Sequence, residues 1–321
     1  MKHPPYHLRP NKAIDRLLLI EAINRLERLS PPLSDYTYYG LGGPYLEDFR
    51  LIYEFCAGVK MVSIEEDREI YNRQRFHLPC ATLRLEKDSM GSFLTLYQAN
   101  DNKSIFWLDY SGRLKYQFFT DFMVLLTKLP ESSLVKITLP CDPKHWYNSD
   151  SQLAENLERE FGQQFASLMP NRIQGPPRRL HAFALLTQQM IRVAAEKALP
   201  SSGPTMFHPL CSFFYSDGTG MFTLTGVICD RQRQQEVKEV FSDLPFYKPN
   251  WSHPRHIDVP ILSTRERLHL QGKLPCNQNA GNVLRKQLGY LIDKDADSTE
   301  KKLKQYATFH KYYPYFMRAV P

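Results

Sequence analysis

The sequence predicts an α/β protein: a mostly parallel sheet of the nucleotide-binding kind that ends in an antiparallel hairpin, followed by a small, mainly helical C-terminal module. Three observations carry this. Short apolar runs alternate with amphipathic segments through the first half of the chain, as in successive βαβ units. The first run breaks into glycines and the second ends in carboxylates, the order that opens such a sheet. Two longer alternating runs, residues 210–215 and 221–228, flank Ser216-Asp217-Gly218-Thr219-Gly220, a hairpin signal.

The chain has 321 residues, enough for one large domain or two moderate ones around a substantial core. Apolar content of 42% with 23% charged residues is that of an ordinary globular protein. Lys and Arg number 41 against 34 Asp and Glu, a net charge of +7 that permits a nucleic-acid partner without requiring one. No run approaches the roughly 18 apolar residues that span a bilayer. Met1-Lys2-His3-Pro4-Pro5 lacks the apolar core of a signal peptide. Six cysteines (Cys56, Cys80, Cys141, Cys211, Cys229 and Cys276) are scattered with no Cys-x-x-Cys pair. Neither a zinc site nor a disulfide framework is expected, and the location expected is the cytoplasm.

Residues 9–29 read as a helix entered by Arg9-Pro10-Asn11-Lys12 and stopped by Pro31-Pro32. Ile14, Leu17, Leu18, Ala22, Ile23 and Leu26 make its apolar face, with Arg16, Glu21, Arg25 and Glu27 on the wet one. Asn11 and Lys12 either reach over a ligand as substrate-binding groups or line a solvated helix entrance. The first strand, Thr37-Tyr38-Tyr39-Gly40, breaks into Leu41-Gly42-Gly43-Pro44, where absent side chains let the backbone approach a ligand. A helix follows, with Leu46, Phe49, Ile52, Tyr53 and Cys56 at buried spacing. Glu47 and Asp48 in its first turn suit the positive helix end but would repel a phosphate, so a ligand without phosphate is expected there.

Residues 61–65 form the second strand, and Glu65 at its tip can accept from a ribose diol. Glu66 and Asp67 would open the next helix, whose buried side is expected to hold Tyr71 and Phe76; alternatively all three acids cap that helix. A third strand at 81–85 leads to Asp88-Ser89-Met90. These residues either meet a purine, the acid on its exocyclic amine and the thioether on its face, or cap a helix. The fourth strand, 105–108, ends in Asp109-Tyr110-Ser111-Gly112, at the strand end where open α/β sheets bind ligands.

A helix at 113–130, a strand at 134–139, a helix at 150–169, a Pro- and Arg-rich linker at 170–179 and an apolar helix at 180–199 precede the hairpin. After Asp230, charges and turn residues dominate, with helices at 264–274 and 300–311 and an aromatic end, Tyr312-Tyr313-Pro314-Tyr315-Phe316. Lys301, Lys302, Lys304, Lys311 and Arg318 among these aromatics make either a nucleic-acid platform or an ordinary terminal helix packed on its own domain. The expected divisions are 1–35 as a helical lead-in, 36–229 as the α/β domain and 230–321 as the helical module.

Five α/β strands and a closing hairpin resemble the strand inventory of the class I S-adenosylmethionine-dependent methyltransferases. Within that class the chain resembles a bacterial family labelled O-methyltransferase-like. The likeness rests on Arg9-Pro10-Asn11-Lys12, Tyr38-Tyr39-Gly40-Leu41-Gly42, Ile64-Glu65-Glu66-Asp67 and Trp107-Leu108-Asp109-Tyr110, and covers about residues 9–140. It implies a Rossmann-like methyltransferase sheet with S-adenosylmethionine as cofactor. By position, it places Gly40 and Gly42 toward the methionine part, Glu65 at the ribose and Asp88 near adenine; Tyr38, Gly43, Glu66, Ser89 and Met90 beside them complete the expected cofactor-binding set. Asp109 also borders the cofactor and, with Tyr110, forms the catalytic pair on the substrate side.

Two departures stand out. Most enzymes of the class hold a carboxylate two residues before the first glycine, where this chain has Tyr38, and Pro44 replaces the third glycine of the usual turn. Glu47 or Asp48 are candidates to substitute for the missing acid. Asp109-Tyr110-Ser111-Gly112 is not the Asp/Asn-Pro-Pro-Tyr/Phe signature of amino-methylating DNA enzymes, and Pro140-Cys141 follows the fifth strand rather than the fourth, where a C5-cytosine enzyme needs its nucleophile. Metal-assisted methylation would need oxygen ligands near Asp109, for which Asp142 and, less well, His145 are candidates. The expected activity is O- or N-methyl transfer to an undefined acceptor with Asp109 as base. A catalytically silent Rossmann-like subunit of a larger assembly, and a nucleic-acid-binding module, are the competing classes.

Overall fold

The computed structural model describes residues 9–30, 32–99, 102–147, 151–169, 176–276 and 279–314. Helix α1 (Pro10–Leu29) leads into β1 (Thr37–Gly40), α2 (Glu47–Phe55), β2 (Lys60–Ile64), α3 (Arg68–Phe76), β3 (Leu83–Glu86), α4 (Met90–Leu96), β4 (Ser104–Asp109), α5 (Tyr116–Lys128) and β5 (Leu134–Pro140). Then come α6 (Ser151–Phe165), α7 (Leu180–Ala198), β6 (Thr205–Ser216), β7 (Gly220–Asp230), α8 (Gln234–Phe241), the two-residue β8 (Arg255–His256), α9 (Thr264–Gln271), α10 (Ala280–Leu288) and α11 (Ala296–Phe309).

The eight strands form one sheet in the order β3-β2-β1-β4-β5-β7-β6-β8. β1 pairs in parallel with β2 on one side and β4 on the other, so the strand order reverses between them and opens a crevice at their carboxyl ends. β5 and β7 are antiparallel, running from Leu134 opposite Val227 to Pro140 opposite Met221.

Helices cover both faces of the parallel strands, so β4 and β5 read as near-continuous apolar runs. Alternation sends Val62, Ile64, Phe106, Leu108, Val135, Ile137 and Leu139 into one core layer, with Phe118, Phe119 and Phe122 of α5 and Phe183 and Met190 of α7. The opposite parity (Tyr38, Met61, Ile105, Trp107, Leu134) packs with Phe49 and Ile52 of α2 and with Leu19, Ile23 and Leu26 of α1.

The chain divides into two compact units, one comprising 19–214 with 219–255 and the other 1–18, 215–218 and 256–321. The division expected at 229/230 therefore falls at 255/256. Val237 and Phe241 of α8 belong to the same core layer as Trp107, which keeps 230–255 with the sheet. Within the lead-in expected at 1–35, Leu19, Ile23 and Leu26 of α1 are part of the sheet core.

In the smaller unit, Ser263 with Glu266 and Asp295 with Ser298 form capping boxes that open α9 and α11. A Cβ on Gly281 would lie 2.2 Å from the Glu300 carbonyl oxygen, so α10 and α11 meet at backbone distance. Tyr313 is buried, edge-on to Tyr306; its hydroxyl donates to the Pro260 carbonyl at 2.8 Å and accepts from the Leu262 N–H at 2.9 Å. Lys301 pairs with Asp297 on the surface of α11, and Lys302 pairs with Asp258. Tyr315, Phe316 and Arg318, like Met1-Lys2-His3-Pro4-Pro5, Asp150 and residues 170–175 of the linker, lie outside the described residues.

Three face assignments differ from expectation. Arg16, expected on the wet face of α1, is buried. Tyr53 is 59% and Phe76 86% exposed, while Gln74 is the residue that α3 buries completely. Helices α8 and α10 are not among the expected elements, although Val237 and Phe241 in α8 and Leu284 and Leu288 in α10 stand at helical spacing; each helix is only about two turns long.

Candidate active site

The crevice begins at the turn after β1. Gly42 has φ +65° and is spanned by a hydrogen bond from the Gly43 N–H to the Leu41 carbonyl at 2.7 Å, a γ-turn in the conformation that side chains resist. A Cβ on Gly42 would stand 2.7 Å from Phe49, 2.8 Å from Leu46 and 2.9 Å from the Ser63 hydroxyl. One on Gly40 would stand 2.9 Å from the Tyr38 hydroxyl. Both glycines thus answer first to the chain's own packing. Tyr38, expected among the cofactor-binding residues, is fully buried, edge-on to Phe49 at 5.1 Å, and fills the volume under the turn rather than lining its open side.

Gln74 fastens this turn from α3. Its amide nitrogen donates to the Leu41 carbonyl at 3.1 Å and the Gly43 carbonyl at 3.0 Å, and its amide oxygen accepts from the Ser63 hydroxyl at 3.0 Å. Sequence reasoning missed Gln74, since a polar residue on a buried helix stripe has no apolar signature. Its i+4 spacing from Ile70 was the available clue.

On the neighbouring strand, Glu65 stands one residue past β2. The register sets Gly40 opposite Ser63, so Glu65 and the glycine turn stand just past the ends of adjacent parallel strands. Glu65 is half-buried and its Oε1 accepts from the Asp67 N–H at 2.8 Å. Burial, reinforced by the charges of Asp67 and Glu66, raises its carboxyl above the ordinary glutamate value against the lowering effect of backbone hydrogen bonds. The three acids divide their roles: Asp67 caps α3 by accepting from Glu69 and Ile70 at 2.9 Å each, Glu66 is exposed, and Glu65 stays at the crevice.

Beyond β3, Asp88 is half-buried, with its Oδ1 taking the Ser89 N–H at 2.8 Å. Ser89 is the α4 cap, accepting from the Ser92 N–H at 3.1 Å. Met90 is a core residue, 5% exposed, and is not available to the face of a purine.

At the end of β4, Asp109 and Tyr110 part company, because successive residues of an extended strand point to opposite faces. Asp109 is half-buried opposite Thr138. Tyr110 turns into the core, stacked on Phe118 at 4.1 Å, and its hydroxyl donates to Asp121 at 2.6 Å. Burial and the Asp121 charge hold the phenol well above its usual pKa. Tyr110 is therefore a core residue anchoring α5, not a partner of Asp109 in the crevice.

Asp142 is also engaged. It accepts from the Lys144 N–H at 3.0 Å and the Gly220 N–H at 3.1 Å, joining the ends of β5 and β7. Among the described residues no three His, Cys, Asp or Glu side chains gather as a metal site would require. Asn11, expected over a ligand, is buried: its amide donates to Asp217 at 2.9 Å and accepts from the Val259 N–H at 3.0 Å, while the Lys12 N–H donates to Asp217 at 2.9 Å. Asn11 thus ties the helix start to the hairpin tip, and Lys12 is buried beside it.

Seven of the eight strands run in the order β3-β2-β1-β4-β5-β7-β6, a Rossmann-like sheet whose order reverses between β1 and β4. The model of a family described as "Putative O-methyltransferase" matches residues 4–321, and the chain belongs to that family. Among solved structures it is similar to Trm1 from Pyrococcus horikoshii in complex with S-adenosyl-L-methionine, at 11% identity over 93% of this chain and 76% of that one, TM-score 0.47. It is also similar to a TehB-like SAM-dependent methyltransferase from Corynebacterium glutamicum, at 8% identity over 64% and 86% of the two chains, TM-score 0.32. The N-methyltransferase NodS from Bradyrhizobium japonicum gives 9% identity over 68% of this chain and 97% of that one, TM-score 0.38. No curated protein matches. No helix among the described residues is long and apolar enough to cross a membrane.

Proposed function

We propose that this protein binds S-adenosylmethionine at the carboxyl ends of β1, β2 and β3 and transfers the methyl group to an oxygen or nitrogen acceptor. The observation that supports this best is the half-buried Glu65 carboxylate beside the pinned turn at Gly42. A carboxylate has about four lone-pair sites, so with one oxygen on the Asp67 N–H it retains acceptor capacity for both hydroxyls of a ribose. Asp88 at the neighbouring strand end suits an exocyclic amine, and the glycine turn suits the aminoacyl end. Glu47 and the buried Asp48 in the first turn of α2 disfavour phosphate and so favour a nucleoside of this kind over a dinucleotide.

When bound, the cofactor supplies a methyl group on a sulfonium, which in-line displacement can transfer. The chain's own task is then orientation and proton removal. Asp109, at the tip of a central strand, takes the acceptor's proton as the new bond to carbon forms. Calorimetric titration with S-adenosylmethionine and S-adenosylhomocysteine tests the binding step. Absence of heat and of thermal stabilisation at millimolar ligand refutes it.

Tyr38 favours a second reading. A buried phenol where related enzymes carry an acid is compatible with a chain that binds the cofactor yet transfers nothing, serving as a subunit of a larger assembly. Binding without S-adenosylhomocysteine production across hydroxyl, amine and nucleic-acid acceptors would support that subunit role.

A further inference from the structure

Gln74 reaches the glycine turn from α3, and its hydrogen bonds to the carbonyls on either side of Gly42 decide which way the turn's peptide groups face. The Leu41 carbonyl is drawn toward α3 by the Gln74 amide and bonded by the Gly43 N–H as well. In a trans peptide the carbonyl and the following N–H point in opposite directions. The Gly42 N–H is therefore aimed away from α3, and among the described residues no acceptor meets it. Gly42 is half-exposed, on the turn that borders the crevice.

The geometry of the amide is fully determined. Both of its hydrogens are used on carbonyls flanking Gly42, and its oxygen is fixed by the Ser63 hydroxyl from β2. A flipped amide would set its oxygen against two carbonyls and leave the Ser63 hydroxyl without its acceptor. Gln74 is fully buried, so solvent cannot take over these bonds.

Building on the cofactor reading above, we infer that Gln74, oriented by Ser63, is a positioning residue that presents the Gly42 N–H to the carboxylate of the cofactor's aminoacyl end. This supplies a contact at the end of the ligand where Tyr38 stands in place of an acid. Gln74 does not touch the ligand; it acts through the peptide plane.

The test compares two ligands on the full chain: S-adenosylhomocysteine and 5′-methylthioadenosine, which shares the adenosine and thioether but lacks the aminoacyl group. In Gln74→Met the affinity for S-adenosylhomocysteine falls about 10- to 100-fold, the range for losing one hydrogen bond to a charged group, while that for methylthioadenosine stays within about twofold. Ser63→Ala, a smaller perturbation that keeps the fold if Gln74→Met does not, shows the same selectivity with a loss of about threefold to tenfold. Equal weakening of both ligands, or no change in either, overturns the role of Gln74 and leaves the cofactor reading intact. A wild-type protein that binds neither ligand overturns the cofactor reading and this inference together.

Discussion

Replacing Glu65 by Gln separates a binding role from a packing role, because the two give opposite signs. The carboxylate is half-buried, and its raised pKa comes chiefly from that burial. A carboxyl whose folded-state pKa lies above its unfolded value binds more protons folded than unfolded as both titrate. Its contribution to stability is therefore most favourable below the unfolded value and is lost as pH rises toward the folded value. Burial thus makes the charged form of Glu65 a cost to the fold, and Glu65→Gln should leave the melting temperature equal or higher. Binding should move the other way. Two hydrogen bonds from a ribose diol to a carboxylate are worth about 1.5–3 kcal/mol each when dry, and partial exposure here reduces the pair to about 1–3 kcal/mol. That corresponds to a dissociation constant for S-adenosylhomocysteine about 5- to 150-fold weaker. Calorimetry for affinity and differential scanning fluorimetry for stability read both quantities on the same samples. Wild-type affinity should also fall as pH drops through the raised carboxyl range. A variant that binds as tightly as wild type, or that loses stability and affinity in proportion, would show that Glu65 merely packs the strand tip.

Three further outcomes follow from the same geometry. Asp109→Asn should reduce methyl transfer by about 10²- to 10⁴-fold, the usual weight of a general base, with S-adenosylhomocysteine affinity within about threefold of wild type; full turnover in this variant would exclude Asp109 as the base. Tyr110→Phe should retain transfer but lower stability by about 1–3 kcal/mol, since Asp121 then keeps only its bond from Gln117 at 2.7 Å; a selective loss of turnover at unchanged stability would return Tyr110 to the catalytic set. Gly42→Ala should lower stability by about 1–3 kcal/mol, because φ +65° and three contacts under 3.0 Å both oppose a Cβ, and an unchanged chemical-denaturation midpoint would contradict the turn described here.

The sheet was legible in the sequence because parallel strands buried on both faces leave continuous apolar runs, and β1, β2, β4 and β5 all lie where such runs lie. Helix faces were less legible, and α3 shows why. Aromatic character suggested that Phe76 was inside, but the helix phase is set by Gln74, whose amide finds three partners on the turn and β2. A buried polar group is stable where its hydrogen bonds are met, and periodicity of apolar residues carries no record of that. Asn11 repeats the lesson at longer range: its partners Asp217 and Val259 lie more than 200 positions away along the chain. The misplacement of Tyr110 has a different origin, since strand parity alone separates it from Asp109.

The glycine turn therefore meets two requirements with one set of residues. Toward the protein, Gly40 makes room for Tyr38, and Gly42 makes room for Phe49, Leu46 and Ser63; these contacts suffice to explain both glycines without any ligand. Toward the crevice, the same turn leaves its backbone exposed beside Glu65. Tyr38 links the two. A carboxylate in its place would be buried against Phe49 in an apolar layer and would meet a large desolvation cost unless paired, whereas a phenol fills that volume at much lower cost. In the cofactor reading proposed above, the lack of an acid beneath the turn leaves recognition of the ligand's aminoacyl end to backbone groups. Backbone groups are only as well aimed as the side chains that hold them, which is why a buried glutamine on the next helix matters to a site it does not touch.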